Sequence, residues 1–168
     1  FAAEGDVSAI LDFTTTELNN LNAGRSVDWV GLATRTGVQQ QHNLSYAGGN
    51  DGTHYRVSGS ALGVEGVAKN DKFDRYTLGL NLDQEFGTRL KVGTSTQLSY
   101  VDRGGMAASF TDAFRMNPLT NAFGADGSQV IYPWQEDTFF SNPLQGLLVT
   151  DNDVTRRAFT SNHAELQL

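Results

Sequence analysis

Cysteine is absent from this chain of 168 residues. That excludes a disulfide scaffold and any thiolate metal site. It fits an oxidising compartment, although a cysteine-free cytosolic domain is also ordinary. Basic residues are scarce, 12 Lys and Arg against 19 Asp and Glu, for a net charge of −7. A nucleic-acid partner would want a basic stripe, and none is present. No apolar run reaches the roughly eighteen residues of a transmembrane helix. The mean hydropathy of −0.35 leaves a membrane barrel open, because lumen-facing polar residues dilute the average. There are 3 prolines against 18 glycines, which suits sheets joined by many turns. The chain opens at Phe1 without an initiator Met, so a processed chain or a piece of a longer one is expected.

Four alternating runs stand in the middle of the chain. They read as strands near Val38–Ala47, His54–Val64, Arg75–Gln84 and Arg89–Asp102. Between them lie Gly48-Gly49-Asn50-Asp51-Gly52, the polar loop through Lys69-Asn70-Asp71-Lys72, and Glu85-Phe86-Gly87-Thr88. Successive strand side chains point to opposite faces, so alternation means one apolar and one polar face. Tyr76, Leu78, Leu80 and Leu82 share a face, as do Leu90, Val92, Leu98 and Tyr100 with Thr94 and Thr96 between them. Arg75, Asn81, Asp83, Lys91, Gln97 and Ser99 fall on the other side. Tyr46, Tyr55, Tyr76 and Tyr100 sit where an aromatic girdle would lie. Strands near ten residues suit a tilted bilayer crossing. A soluble antiparallel sheet with one solvated face has the same pattern. A fifth alternating run, over 155–168, carries Ala158, Thr160, Ala164, Leu166 and Leu168 on one side.

The flanks are less regular. Residues 5–22 carry Val7, Ile10, Leu11, Leu18 and Leu21 at helical spacing, but the run Thr14-Thr15-Thr16 weakens a helix. A connector with helical turns is expected over 1–37. Residues 103–154 hold Asn-Pro and Asp-Gly turn formers and read as one long loop. Loops of that length are usually functional.

Catalytic and metal constellations are weak. His42, His54 and His163 lie on separate strands, and either chemistry would need them to converge with carboxylates. Asp151, Asn152 and Asp153 lack the glycine and the later Glu of a calcium loop. Ser58 and Ser60 sit inside a strand rather than on a nucleophile elbow. A non-enzyme without cofactor is expected. The long loop offers flat rings beside hydrogen-bonding groups: Tyr132, Trp134, Phe139 and Phe140 with Asn117, Gln135, Glu136 and Asp137. That mixture suits stacking on a sugar or gripping a peptide. The same rings could instead pack the loop against its neighbours.

A series of short motifs then carries a family resemblance. Asp28-Trp29, Arg35-Thr36-Gly37, Gln40-Gln41-His42-Asn43-Leu44-Ser45 and Gly48-Gly49-Asn50-Asp51 come first. Glu65-Gly66-Val67-Ala68-Lys69-Asn70, Phe73-Asp74-Arg75-Tyr76, Leu80-Asn81-Leu82-Asp83 and Leu90-Lys91-Val92-Gly93 follow. In order and spacing this series resembles the SusC/RagA-like TonB-dependent transporters of Bacteroidetes-type bacteria. The resemblance is closest over residues 27–102 and looser at Arg115-Met116-Asn117-Pro118-Leu119 and Ala125-Asp126-Gly127.

It implies an all-β fold: five antiparallel strands of an outer-membrane barrel of about twenty-two, following a plug domain. It implies import of glycan or peptide fragments across a Gram-negative outer membrane without covalent chemistry. The implied partners are the rest of the barrel and plug, a SusD-like surface lipoprotein, the TonB complex and the bilayer. Short turns would face the periplasm; the loop at 65–72, the long loop 103–154 and the segment 1–37 would lie outside the cell. Two other readings remain open: a soluble β-sheet module binding carbohydrate through residues 130–140, and a small closed barrel with a structural role.

Overall fold

The computed structural model describes residues 13–134 and 138–167. They divide into two compact units. The first is a single antiparallel sheet in the order β1-β2-β3-β4-β5. Its strands are β1 Val38–Asn50, β2 Thr53–Glu65, β3 Lys72–Phe86, β4 Leu90–Asp102 and β5 Val154–Leu166. Consecutive strands are neighbours throughout.

β1, β2 and β3 are longer than their alternation suggested, whereas β4 starts one residue later, at Leu90, and β5 runs from Val154 only to Leu166. Gly48, Gly49 and Asn50 continue β1 instead of turning, and the hairpin closes on Asp51-Gly52 alone. The Asn50 side chain shapes that turn, its Oδ1 accepting from Gly52 N at 3.0 Å and Thr53 N at 2.8 Å. Between β3 and β4 the turn uses Gly87 at φ +64, a left-handed conformation that side chains resist.

The register sorts the side chains into two faces. Tyr76 pairs with Tyr100, Leu78 with Leu98, Leu80 with Thr96, Gln84 with Val92 and Phe86 with Leu90. Through the other ladders Leu44, Tyr46, Tyr55, Val57 and Ala158 join this apolar face. Two hydroxyls on it satisfy each other, Thr96 Oγ1 lying 2.6 Å from Thr160 Oγ1. Tyrosines meet in pairs, Tyr46 with Tyr55 at 6.0 Å and Tyr76 with Tyr100 at 6.1 Å between ring centroids.

Beyond the Tyr76–Tyr100 row the polarity of the two faces inverts. Glu65, Lys72, Asp74 and Asp102 now occupy the positions in line with the apolar side chains. Leu62, Val64, Phe73 and Val101 occupy the opposite face. Lys72 Nζ pairs with Asp74 at 2.9 Å, and the Arg103 guanidinium lies 5.9 Å from the Phe73 ring centroid. Asp151 and Asp153, weighed above as a calcium loop, extend the β4–β5 arm. Their carbonyls accept from Gly105 N at 3.1 Å and Arg103 N at 2.9 Å.

The second unit gathers the described residues up to Thr36 with Val67–Asn70 and Met106–Val149. It holds α1 Thr15–Asn22, α2 Trp29–Ala33, α3 Phe110–Arg115 and a 3-10 turn at Gln145–Leu148. Its core is Trp29, Ala33, Ala108, Ala113, Met116, Ala122 and Leu144. The expected effect of the threonine run differs from what is observed. Thr14 is the N-cap of α1 and closes a capping box with Glu17, so the hydroxyl starts the helix. Leu21, expected on the apolar side, is exposed, and Glu17 and Asn20 are buried in its place. Val7, Ile10 and Leu11 lie outside the described residues.

Candidate functional site

The buried polar centre of the second unit is built on Glu17. Its carboxylate accepts from Thr14 N at 2.8 Å, from Trp134 Nε1 at 3.2 Å and from Asn117 Nδ2. Burial alone would raise the carboxyl. The Thr14 and Trp134 hydrogen bonds together outweigh it and hold the group below its ordinary value of 4.5. Asn117 is a second node. Its carbonyl accepts from Trp29 Nε1 at 3.0 Å and Thr120 Oγ1 at 2.6 Å, and its Oδ1 accepts from Leu119 N at 2.9 Å. Asn142 is a third, donating to the carbonyls of Ala122 at 3.0 Å and Val130 at 2.8 Å and accepting from Leu144 N.

The residues selected from sequence as ligand contacts therefore separate. Asn117 and Trp134 are tied into the scaffold, with the Trp134 ring 5.5 Å from Phe140. Tyr132 and Phe139 are exposed. Gln135, Glu136 and Asp137 lie outside the described residues. Sequence reasoning missed an open groove of about 660 Å³ bordered by Val27, Asp28, Leu32, Asn121 and Phe123. Its size falls among small-ligand clefts. No motif announces it, because its walls come from segments nearly a hundred positions apart in the chain.

On the sheet, register brings together two of the three histidines. His54 pairs with Asp83, and Asp83 with Gly93, which pairs in turn with His163. His163 Nε2 reaches Asp83 Oδ1 at 3.5 Å across β4. Gly93 makes this possible: a Cβ there would fall 2.1 Å from His163 Cε1 and 2.4 Å from Asp83 Oδ1. His42 lies on the opposite, apolar face. Among the described residues no three His, Cys, Asp or Glu are grouped to hold a metal ion. The row joins a neighbouring Glu85–Lys91 pair at 3.8 Å, giving the polar face mixed charge.

No family model matches the chain. The chain is similar to "TonB-dependent receptor P3" of Formosa agariphila, 28% identical over 154 residues. The match covers 84% of this chain and 15% of that protein, so the chain spans a small part of its relative's length. The chain is thus TonB-dependent-receptor-like, and its open five-stranded antiparallel sheet fits a section of such a receptor's barrel.

Proposed function

We propose that this chain is a section of the wall of a SusC/RagA-type TonB-dependent importer, carrying glycan or peptide fragments across a Gram-negative outer membrane. The carrying observation is the bounded apolar face with its inversion of polarity. From Tyr76 to Phe86 on β3, and from Leu90 to Tyr100 on β4, the apolar face runs ten residue steps. At about 3.3 Å per residue that is about 33 Å along the strand. A tilt of about 40° reduces it to about 25 Å of height, the apolar band of an outer-membrane barrel. Past Tyr76 and Tyr100 the same face turns to Asp74, Asp102 and Lys72, as a wall leaving the hydrocarbon would. Lipid takes the apolar face, and the lumen takes Arg75, Asn81, Asp83, Lys91, Gln97 and Ser99.

The outer edges of β1 and β5 pair with further strands of the full-length protein, because open edges do not persist in lipid. The tight turns face the periplasm, and residues 103–154 with the N-terminal segment face outside. There the exposed Tyr132, residues 135–137 and the groove beside Phe123 meet cargo or a SusD-like lipoprotein. The TonB complex acts through the plug, and no bond is made or broken. A cysteine placed at Asp126 in the full-length protein tests the topology. Labelling by an impermeant maleimide on intact cells is expected. Labelling only after the outer membrane is breached would overturn the orientation.

A further inference from the structure

We propose that the apolar face holds one lipid with an anionic phosphomonoester headgroup, an acyl chain lying between Tyr76, Leu78, Leu98, Tyr100 and Ala158 and the phosphate on Arg156. The inference rests on the barrel-wall reading above. These residues border an open groove of about 500 Å³. Sequence and register explain it. Leu78 pairs with Leu98, and Leu98 with the short Ala158, so two long side chains stand beside a gap. One row towards the loops, Tyr76, Tyr100 and Arg156 lie side by side. The Arg156 guanidinium sits 5.4 Å from the Tyr100 ring centroid.

An arginine on an apolar face needs an anion or water at its tip. Arg156 makes no ion pair among the described residues. Neither carboxylate of the next row is paired with it among the described residues. Asp74 pairs with Lys72 at 2.9 Å, and Asp102 accepts from Gly104 N at 2.9 Å. The row also lies at the rim of the apolar band, where headgroups are and where tyrosine and arginine settle. A soluble anion would use the guanidinium and leave the groove empty. A phosphate on an acyl chain satisfies both halves of the site.

Native mass spectrometry of the full-length protein in detergent, with dioleoyl phosphatidate and dioleoyl phosphatidylcholine offered together, tests this. One retained phosphatidate is expected, preferred about fivefold, the effect of a single basic side chain at an anionic surface. Arg156→Gln should abolish the preference. Ala158→Leu, which fills the groove and keeps the cation, should lower retention of phosphatidate. Excess inorganic phosphate should not displace the lipid. Equal retention by wild type and both variants, or displacement by inorganic phosphate, would overturn the lipid site. Heat-modifiable migration, run on the same samples, reports the barrel separately. A protein that forms the barrel without phosphatidate preference sinks only this inference. A protein that forms no membrane barrel sinks the wall reading and this inference with it.

Discussion

Replacing Glu17 by Ala removes the acceptor for Thr14 N, Trp134 Nε1 and Asn117 Nδ2 together. Hydrogen bonds to a charged group contribute about 1.5–3 kcal/mol each, and a buried donor left without a partner costs about 1–3 kcal/mol. Water reaching the shortened side chain recovers part of this, so the loss is about 3 kcal/mol. That corresponds to about a hundredfold in the opening equilibrium. Hydrogen exchange of peptides spanning residues 15–22 and 117–134, in the full-length protein, reads it directly. Protection in both should fall by about that factor, while peptides of β3 and β4 stay unchanged. Glu17→Gln keeps an acceptor oxygen and should lose about tenfold at most, about 1 kcal/mol.

The folded carboxyl lies below its ordinary value of 4.5, so its stabilisation is complete above that pH. It is lost as pH falls through the folded value. Corrected for intrinsic rates, wild-type protection should therefore decline below about pH 4.5, and that of Glu17→Gln should not. Protection in Glu17→Ala within twofold of wild type would refute the reasoning.

Two further outcomes follow from the same structure. Leu80→Arg puts a charge in the middle of the apolar face and should cost about 2–4 kcal/mol of folding into bilayers; chemical unfolding in vesicles measures it, and an unchanged midpoint would contradict the facing. Asn142→Ala strands the carbonyls of Ala122 and Val130 and the Leu144 amide, and should destabilise the second unit by about 2–4 kcal/mol, read as increased proteolysis within residues 106–149.

The sheet was legible because period-two alternation reports which face a residue takes, and register then follows from the turns. Its strand ends were not, because Gly48, Gly49 and Asn50 look like turn residues while pairing normally with Tyr55, His54 and Thr53. The second unit hid for a different reason. Hydrophobic periodicity finds helices that bury leucines, whereas α1 buries Glu17 and Asn20 through bonds to residues about a hundred positions away. Trp134 and Asn117 were legible as chemically capable residues. Their commitment to Glu17 depends on those distant contacts and leaves no local mark. The His54–Asp83–His163 row required three ladders and a glycine at position 93, which separate strands cannot reveal.

Single-cysteine scanning of β3 in the membrane-inserted full-length protein tests the wall reading most directly, since this chain contributes no cysteine of its own. Nitroxide labels at positions 76 to 82 would be compared for collision with lipid-soluble oxygen and with a water-soluble nickel complex. Oxygen should dominate at Tyr76, Leu78, Leu80 and Leu82, and nickel at Thr77, Gly79 and Asn81. Loss of that two-residue alternation, or its inversion, would contradict a wall that turns its apolar face to lipid.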